Sequence, residues 1–467
     1  MKSVADLVVV GAGPAGMATA LEAAENGASV TILEADTLIG GNAARSTGYL
    51  AFQGFDMQGE QGYHDSAELF VADMLEEIDR QKSKYGIEFD LELAKVFAAE
   101  SSSTYRWLVE LGFEFNRFLP RPLQHSVNRM IDVTDTGMFT KVFHDALVKN
   151  GVDIRTSTRV RRLITDGDKV IGVQTDHERF EASKGVVLAA GGYQANLSIR
   201  RKYQPEYMAS TPYLGTSYDV GDGHTMGQEV GGELINMTMI PPLIMVGSAL
   251  IEDSIAVNAE GARFHDEAGP YDYRVKELHQ QSEHLAFYIY DNETYTRKTQ
   301  LINEMPNTPI SAASLTELAE MIGVSPVGLN KSVESWNEIL KSSQKRDPDF
   351  GRVIFPDGRR EIKVGPFFAS EMIVGINFPA GGFRVNRDLQ VLNVYGERIP
   401  GLYAVGDCTG GLGPVIGMGG MRITPALTLG RVAGRKIALE EFETTDHLQE
   451  SGQYLPGNAL RVAVIDD

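Results

Sequence analysis

Four residues near the N-terminus have the types and spacing that bind a dinucleotide. Gly11, Gly13 and Gly16 form a Gly-x-Gly-x-x-Gly motif, and Glu34 follows 18 residues after the last glycine. The first glycine permits a tight turn, the second lets a pyrophosphate approach the backbone, and the third lets helix and strand pack closely. An acidic side chain at this distance can accept hydrogen bonds from ribose hydroxyls. The motif therefore predicts a dinucleotide site, which suits NAD and FAD equally.

The segment after the predicted second strand is also rich in glycine and small polar residues. It begins with Gly40-Gly41-Asn42 and continues through Ala-Ala-Arg-Ser-Thr to Gly48. An NAD-dependent dehydrogenase needs no extended segment here, whereas FAD must thread its flavin half through the protein towards a distant site. Together with the first motif, this segment favours FAD.

A third motif lies in residues 399–434. A predicted strand ends there at Gly406-Asp407, where the carboxylate can accept hydrogen bonds from ribityl hydroxyls. A glycine-rich loop follows, and Arg422 and Ile423 open a predicted helix. A helix start aimed at the N1–C2=O edge of a flavin stabilises the negative charge of the reduced ring. The three motifs together predict that the cofactor is FAD.

Predicted strands and helices around these motifs place them at one edge of a sheet. Residues 5–10 and 28–33 are apolar runs typical of buried parallel strands, and the helix formers of residues 14–26 lie between them. Further apolar strands at 186–190 and 402–405 also end in glycine. We therefore predict an α/β fold with a Rossmann-type, glutathione-reductase-like FAD domain.

Because these strands lie far apart in the chain, the predicted FAD domain is discontinuous. Residues 236–375 are more mixed and polar, and we predict that they form an inserted α+β capping domain that holds the substrate. The FAD domain then comprises residues 1–235 and the returning segment 376–467.

The composition limits the partners and the redox chemistry. The 467 residues include 63 acidic and 43 basic ones, and the formal net charge of −20 disfavours nucleic acid and anionic membranes as partners. Cys408 is the only cysteine, which excludes an internal disulfide, a cysteine-ligated iron–sulfur cluster and a C-x-x-C-H haem attachment. The absence of a signal-like leader and of an apolar run near 18 residues predicts a soluble, cytoplasmic protein.

The motifs occur in the order found in one superfamily of flavoproteins. The chain also carries AAGG at 189–192, VGDGH at 220–224 and NAEGARFHDE at 258–267. Over nearly its whole length it resembles the FAD-dependent fumarate reductase / 3-ketosteroid dehydrogenase superfamily, whose capping domain holds the substrate against the flavin. The resemblance implies that the following residues contact the cofactor: Gly11, Gly13, Pro14, Ala15, Gly16, Glu34, Ala35, Gly41, Asn42, Ala43, Ser46, Thr47, Gly48, Val160, Ala190, Gly191, Gly192, Asp222, Gly406, Asp407, Arg422 and Ile423.

The chain departs from the motifs of each branch of the superfamily, and these departures limit the range of predicted substrates. Fumarate reductases hold a dicarboxylate with histidines and arginines, but one of their histidine positions falls near Pro241-Pro242 and another at Asn377-Phe378. The segment DEAGPYDYR, residues 266–274, resembles instead the Glu-x-x-Pro-Tyr-Asp stretch of 3-ketosteroid Δ1-dehydrogenases. The tail GGMRITPALTLG resembles that branch as well, although the tyrosine of its substrate site falls near Ile416. The sequence therefore lies closer to the ketosteroid dehydrogenase branch.

The resemblance implies catalytic roles for a tyrosine and a glycine. Tyr271 is the predicted proton base or acid, with Tyr273 as the alternative, and the Gly420 N–H binds the carbonyl oxygen. Because a free tyrosine has a pKa of about 10, Arg274 is predicted to assist as a neighbouring cation. We predict an oxidoreductase that transfers a hydride between flavin N5 and a CH–CH bond next to a carbonyl. The predicted substrate is a cyclic ketone such as a 3-ketosteroid or a smaller oxocyclohexane, with an electron acceptor that the sequence does not identify.

Two alternatives stay open. One is a dehydrogenase or reductase of a tricarballylate- or fumarate-like acid, anchored by Arg422, Arg274 or Arg129. The other is an electron-transfer flavoprotein without a substrate of its own, which the predicted capping domain disfavours. Four further residues of chemical interest are interpreted as structural: His125, His224, Cys408 and Trp107.

Overall fold

The chain contains both helices and strands, and a computed structural model describes residues 3–82, 87–119, 125–204, 209, 211–213, 215–240, 242–244, 250–303, 305, 307–415 and 417–440. The α-helices of this part are α1 (Pro14–Glu25), α2 (Asp56–Glu60), α3 (Ala67–Lys82), α4 (Leu91–Leu111), α5 (Met138–Lys149), α6 (Leu197–Tyr203), α7 (Asp222–Glu229), α8 (Tyr271–His279), α9 (Asn292–Asn303), α10 (Leu315–Ile322), α11 (Pro326–Lys341) and α12 (Ile423–Leu439). The strands are β1 (Ser3–Val10), β2 (Val30–Leu33), β3 (Tyr49–Ala51), β4 (Phe115–Leu119), β5 (Met130–Val133), β6 (Asp153–Arg155), β7 (Val160–Asp166), β8 (Lys169–Thr175), β9 (Arg179–Leu188), β10 (Leu234–Ile235), β11 (Pro242–Ile244), β12 (Ile255–Asn258), β13 (Ala286–Asp291), β14 (Ile310–Ala312), β15 (Phe367–Glu371), β16 (Val374–Ile376), β17 (Gly382–Phe383), β18 (Gln390–Leu392) and β19 (Arg398–Ala404).

The largest sheet has the strand order β18-β19-β9-β1-β2-β6, and β7 and β8 extend it beside β9. β1 runs parallel to β2 and to β9, and β9 runs parallel to β19. Its central side chains, such as Val8, Leu188 and Ala404, are fully buried, as expected for a parallel sheet covered on both faces. The carboxyl ends of β1, β2, β9 and β19 therefore meet at one edge. The predicted α/β class with a Rossmann-type sheet is confirmed.

Helix α12 packs very closely on α1, although the two lie at opposite ends of the described chain. A Cβ on Gly430 would lie 2.5 Å from the Ala15 carbonyl oxygen, and one on Gly434 would lie 2.3 Å from that of Thr19. Arg431 of α12 donates to Glu22 of α1 at 2.8 Å. The C-terminal helix thus covers the helix that begins at the glycine motif.

A second sheet, antiparallel with the order β12-β13-β15-β14, lies within the predicted insertion. Helices α10 and α11 pack against it around the fully buried Trp336. A buried charge cluster joins its elements, because Glu267 accepts from Arg263 and from Arg352, each at 2.9 Å. Arg263 also pairs with Asp347 at 2.8 Å. The sheet and its own core support a distinct inserted unit, whose limits at residues 235 and 375 stay a prediction.

The chain crosses between these two regions at adjacent places. The earlier strands β10 and β11 pair with the later strands β17 and β16, respectively, and both pairs are antiparallel.

Within the described ranges, no helix has both the length and the apolar character needed to cross a membrane. The predicted cytoplasmic location stays a prediction.

Candidate active site

A cavity of about 460 Å3 lies at the carboxyl edge of the parallel sheet. All three sequence motifs contribute to its wall, although the third lies about 350 residues after the first two. The predicted cofactor residues that line it are Gly11, Gly13, Pro14, Ala15, Glu34, Ala35, Gly41, Asn42, Ala43, Ser46, Thr47, Val160, Ala190, Gly191, Asp222, Gly406, Asp407, Arg422 and Ile423.

The glycines of the first motif have different surroundings. Gly11 has φ +104°, and a Cβ there would lie 2.4 Å from the Ala189 carbonyl oxygen. A Cβ on Gly16 would lie 2.1 Å from the Gly11 carbonyl oxygen, so Gly16 serves the packing of α1 and does not line the cavity. A Cβ on Gly13 would meet no atom within 4 Å, because Gly13 faces the cavity. The chain therefore leaves open space at the residue where a pyrophosphate must approach.

The start of α1 and the end of β2 complete this part of the cavity. Gly13 is the N-cap of α1 and no side chain caps the helix, so its first N–H groups and the positive end of its dipole serve an anion. Glu34 accepts hydrogen bonds from the backbone N–H groups of Ala12 at 2.7 Å and Asp36 at 2.8 Å. Burial raises the pKa of Glu34, and these two bonds partly oppose the rise. These features fit the pyrophosphate and ribose of FAD.

Asp407 and Arg422 both line the cavity, and the charge of each affects the pKa of the other. Burial raises the pKa of Asp407 to about 6, although the nearby Arg422 cation acts in the opposite direction. Arg422 donates to the carbonyl oxygens of Gly413 at 2.7 Å and Pro379 at 3.2 Å, and its guanidinium lies 4.1 Å from the centre of the Phe378 ring. Burial lowers the pKa of Arg422 to about 10, so the side chain is a cation at neutral pH.

A hydrogen-bonded cluster in the cavity wall was not anticipated from the sequence. The Asn42 side-chain amide donates to Asp219 at 2.6 Å, and the Tyr213 hydroxyl donates to the same carboxylate at 2.6 Å. Burial raises the pKa of Asp219, and both hydrogen bonds oppose the rise. Asn42 is therefore bound to the protein through Asp219 while it lines the cavity. Asp222 likewise pairs with Arg159, at 2.6 and 2.8 Å.

Two other predicted cofactor residues lie behind the cavity wall. Gly48 has φ +71°, and a Cβ there would lie 2.5 Å from Cγ2 of Val133. Gly192 accepts a hydrogen bond from the Gly221 N–H at 3.0 Å. Neither glycine lines the cavity, and the contacts described for both are with other residues of the protein.

Tyr271 and Gly420 both line the cavity. Tyr271 is the first residue of α8, and its ring meets that of Phe378 edge-on with centroids 6.0 Å apart. Gly420 has φ +75°, and a Cβ there would lie 2.7 Å from the backbone nitrogen of Ala51. The two predicted catalytic positions therefore open into the same space as the cofactor motifs.

Arg274 and Tyr273 do not line the cavity, contrary to a direct role in catalysis. Arg274 is fully buried one helical turn after Tyr271, and its guanidinium lies 5.0 Å from the centre of the Tyr271 ring. Its Nε and Nη1 atoms have no hydrogen-bond partner within the described part of the chain. Tyr273 points elsewhere, because it packs against Gly269 and its ring lies 6.3 Å from that of His265.

The remaining candidates are held by internal contacts. Arg129 is fully buried and forms two 2.7 Å hydrogen bonds with Asp65, as well as one with Asp73. His125 bonds the Gly419 carbonyl oxygen at 3.0 Å. His224 is buried between the rings of Tyr193 and Phe383, and burial lowers its pKa to about 4. The structural interpretation of His125 and His224 agrees with these contacts, and Arg129 lies outside the cavity lining.

Comparison with known proteins identifies the family of this chain. Residues 6–423 match the family model described as "FAD binding domain". The chain belongs to this family. The cofactor is therefore FAD, as the three motifs predict.

Relatives within this FAD-binding family come from both branches of the superfamily. The chain is 29% identical to fumarate reductase (cytochrome) of Shewanella frigidimarina, over 93% of the chain and 77% of that protein. It is 29% identical to urocanate reductase of Eggerthella lenta, over 93% of the chain and 74% of that protein. The crystal structure of 3-ketosteroid-Δ4-(5α)-dehydrogenase from Rhodococcus jostii RHA1 matches with a TM-score of 0.65 and 25% identity, covering 93% of this chain and 97% of that one. The superfamily resemblance and the predicted class, an FAD-dependent oxidoreductase acting on CH–CH bonds, are confirmed.

Proposed function

We propose that this enzyme interconverts a saturated and an α,β-unsaturated carbonyl compound, with Tyr271 as the proton acid or base and the Gly420 N–H as a contact for the carbonyl oxygen. The observation that carries the proposal is the shared cavity. Tyr271, Gly420 and Arg422 line the same space as the motifs that hold FAD. A proton-transfer group, a backbone donor and a cation are thereby available to one small molecule.

The character of the lining supports a compact and largely apolar substrate. The lining includes Phe378, whose ring meets that of Tyr271, as well as Met305 and Met418, and these side chains offer aromatic and thioether surface for a ring. A 3-ketosteroid or a smaller oxocyclohexane has this combination of an apolar body and one polar oxygen. The unidentified electron partner stays part of the proposal.

The distribution of cations argues against a dicarboxylate. The lining includes Arg45, Arg159 and Arg422. Arg159 is paired with Asp222, and Arg45 lies 3.9 Å from Asp36 beside the nucleotide motif. Arg422 is thus the one arginine of the described lining that forms no salt bridge with a carboxylate of the described chain. Two carboxylates bound there would leave one charge unpaired, which is costly in a buried site.

Different residues of the cavity supply different parts of the proposed reaction. When bound, FAD supplies the acceptor or donor of the hydride equivalent at the β-carbon. In the oxidative direction the Tyr271 oxygen takes the α-proton, and the electron pair of that bond forms the new C=C bond as the hydride leaves. The Gly420 N–H and the Arg422 cation stabilise negative charge on the carbonyl oxygen, as in an oxyanion hole. The Arg274 guanidinium lies 5.0 Å from the centre of the Tyr271 ring, so a buried cation stands next to the proton-transfer group.

Reduction of enones by the chemically reduced holoenzyme tests the proposal. We expect cyclohex-2-enone or a 4-ene-3-ketosteroid to reoxidise the enzyme anaerobically. The return of flavin absorbance measures this reoxidation. Tyr271→Phe removes the proton donor and should slow this step by about 10²- to 10⁴-fold without loss of FAD. Tyr273→Phe is the matched control, because Tyr273 lies outside the lining, and it should react as the wild type does. Reoxidation by organic acids alone, with no enone reacting, would reject the ketone.

Arg422 favours a second candidate, an unsaturated acid with a single carboxylate next to the C=C bond. Within the described part of the chain, the hydrogen bonds of Arg422 to Pro379 and Gly413 use two of its five N–H donors, so others are available to a carboxylate. Arg422→Gln separates the candidates. An acid substrate loses a charge-assisted pair worth about 1.5–3 kcal/mol, and its dissociation constant should rise roughly 10- to 150-fold. A neutral ketone should lose far less.

A further inference from the structure

The peptide between Gly419 and Gly420 connects the cavity to a buried polar network. Its N–H belongs to Gly420, which lines the cavity, and no described residue accepts a hydrogen bond from that N–H. Its carbonyl group belongs to Gly419 and bonds to Nε2 of His125 at 3.0 Å. In a trans peptide the C=O and N–H groups point in opposite directions. A partner that holds the carbonyl therefore fixes the direction of the N–H.

Arg129 determines which nitrogen of His125 carries the proton. Nη1 of Arg129 lies 3.4 Å from Nδ1 of His125, and a guanidinium can only donate. Nδ1 is therefore the acceptor, and Nε2 carries the hydrogen that the Gly419 carbonyl accepts. Arg129 is itself held by Asp65 and Asp73, and both His125 and Arg129 are buried. The imidazole thus has a defined tautomer and a defined donor direction.

The opposite side of this peptide is restricted as well. Gly420 has φ +75°, and a Cβ there would lie 2.7 Å from the Ala51 nitrogen and 2.7 Å from the Leu50 carbonyl carbon. Strand β3 therefore packs directly against Gly420, while His125 holds Gly419 by its oxygen. A hydrogen bond to the carbonyl also polarises the peptide and strengthens its N–H as a donor.

We propose that His125 is a positioning residue for the proposed reaction: it fixes and polarises the Gly419–Gly420 peptide so that the Gly420 N–H binds the substrate's carbonyl oxygen. This inference rests on the proposed function, because it assumes a carbonyl group in the cavity. His125 itself does not line the cavity, so its effect reaches the substrate through the peptide alone.

Isotope-edited infrared spectroscopy of a bound ketone tests the role without turnover. The probe is 4,4-dimethylcyclohexa-2,5-dienone labelled with ¹³C at the carbonyl and added to the oxidised holoenzyme; both bonds next to its carbonyl are already unsaturated, so the oxidised enzyme can neither reduce nor dehydrogenate it. In the wild type we expect a carbonyl stretch shifted to lower frequency than in an apolar solvent, because the oxygen accepts a hydrogen bond. His125→Leu removes the donor to Gly419, so the stretch should move back and the dissociation constant should rise about 5-fold, the value of one neutral hydrogen bond.

Two more variants make the comparison selective for the hydrogen bond. His125→Gln keeps an amide N–H and should preserve at least part of the shift, whereas His125→Met keeps the volume but has no donor and should behave as His125→Leu does. If the leucine variant does not fold, the methionine variant gives the same comparison. A donorless variant that folds with bound FAD, with the wild-type stretch and affinity, overturns the positioning role while leaving the proposed function intact. Failure of the wild type to bind the dienone overturns both.

Discussion

Gly13 offers a way to separate cofactor binding from folding. Its φ of −76° is accessible to any residue, and a Cβ built on it meets no atom within 4 Å. Gly13→Ala should therefore change the unfolding free energy of the apoprotein by less than about 1 kcal/mol, with a small gain from lower entropy of the unfolded chain. The added methyl group occupies the space through which the pyrophosphate approaches α1. Loss of one charge-assisted hydrogen bond costs about 1.5–3 kcal/mol, so the dissociation constant of FAD should rise roughly 10- to 150-fold.

Gly16→Ala is the matched control in the same motif. A Cβ there would lie 2.1 Å from the Gly11 carbonyl oxygen, which belongs to the backbone and cannot move aside cheaply. Overpacking of this kind costs about 1–3 kcal/mol or more, so the apoprotein itself should be destabilised. Urea unfolding of the apoproteins and titration with FAD, followed by flavin fluorescence, measure the two effects. Equal destabilisation by both substitutions, or wild-type FAD affinity of Gly13→Ala, would refute the different roles assigned to these glycines.

Two further predictions concern buried charges. Because burial raises the pKa of Asp407 to about 6, the folded apoprotein holds that proton more tightly than the unfolded chain does. The contribution of Asp407 to the free energy of unfolding is fully present below about pH 4 and is lost as the pH rises through 6. Asp407→Asn should remove this contribution, which is measured by comparing the urea unfolding midpoints of the variant and the wild type across that pH range. Glu267→Gln leaves Arg263 and Arg352 without their shared carboxylate, so the unfolding free energy should fall by about 3–5 kcal/mol. Glu92→Gln, in an exposed pair with Lys95, is the control and should cost less than about 1 kcal/mol; similar losses in both variants would contradict this reasoning.

The first part of the cofactor site was predictable because the residues that form it lie close together in the sequence. Gly11, Gly13 and Gly16 lie between a strand and a helix, and Glu34 ends the next strand. The predicted strand at 28–33 forms over Val30–Leu33, and the predicted helix at 14–26 forms over Pro14–Glu25. The edge of a parallel sheet then brings the ends of separate strands together without further information.

Long-range polar contacts were not predictable in the same way. Asp219 meets Asn42 from 177 residues away, and no spacing pattern marks such a pair. Arg129 likewise pairs with Asp65 and Asp73, which lie 64 and 56 residues before it in the sequence. Helical geometry explains the positions of Tyr273 and Arg274 relative to Tyr271, because residues three apart share a face of α8 and residues two apart do not. Arg274 accordingly lies beside Tyr271, and Tyr273 faces away from the cavity.

The contact between α1 and α12 has a consequence for biosynthesis. Helix α1 ends at Glu25, but the helix that covers it ends only at Leu439. Ribosomes add roughly 5–20 residues per second, so the interval between the two is on the order of 20–80 s. Throughout that time the glycine-rich turn exists without its cover, whereas the antiparallel sheet around Trp336 emerges complete with its own core. We expect the nascent chain to acquire FAD only after α12 has left the ribosome.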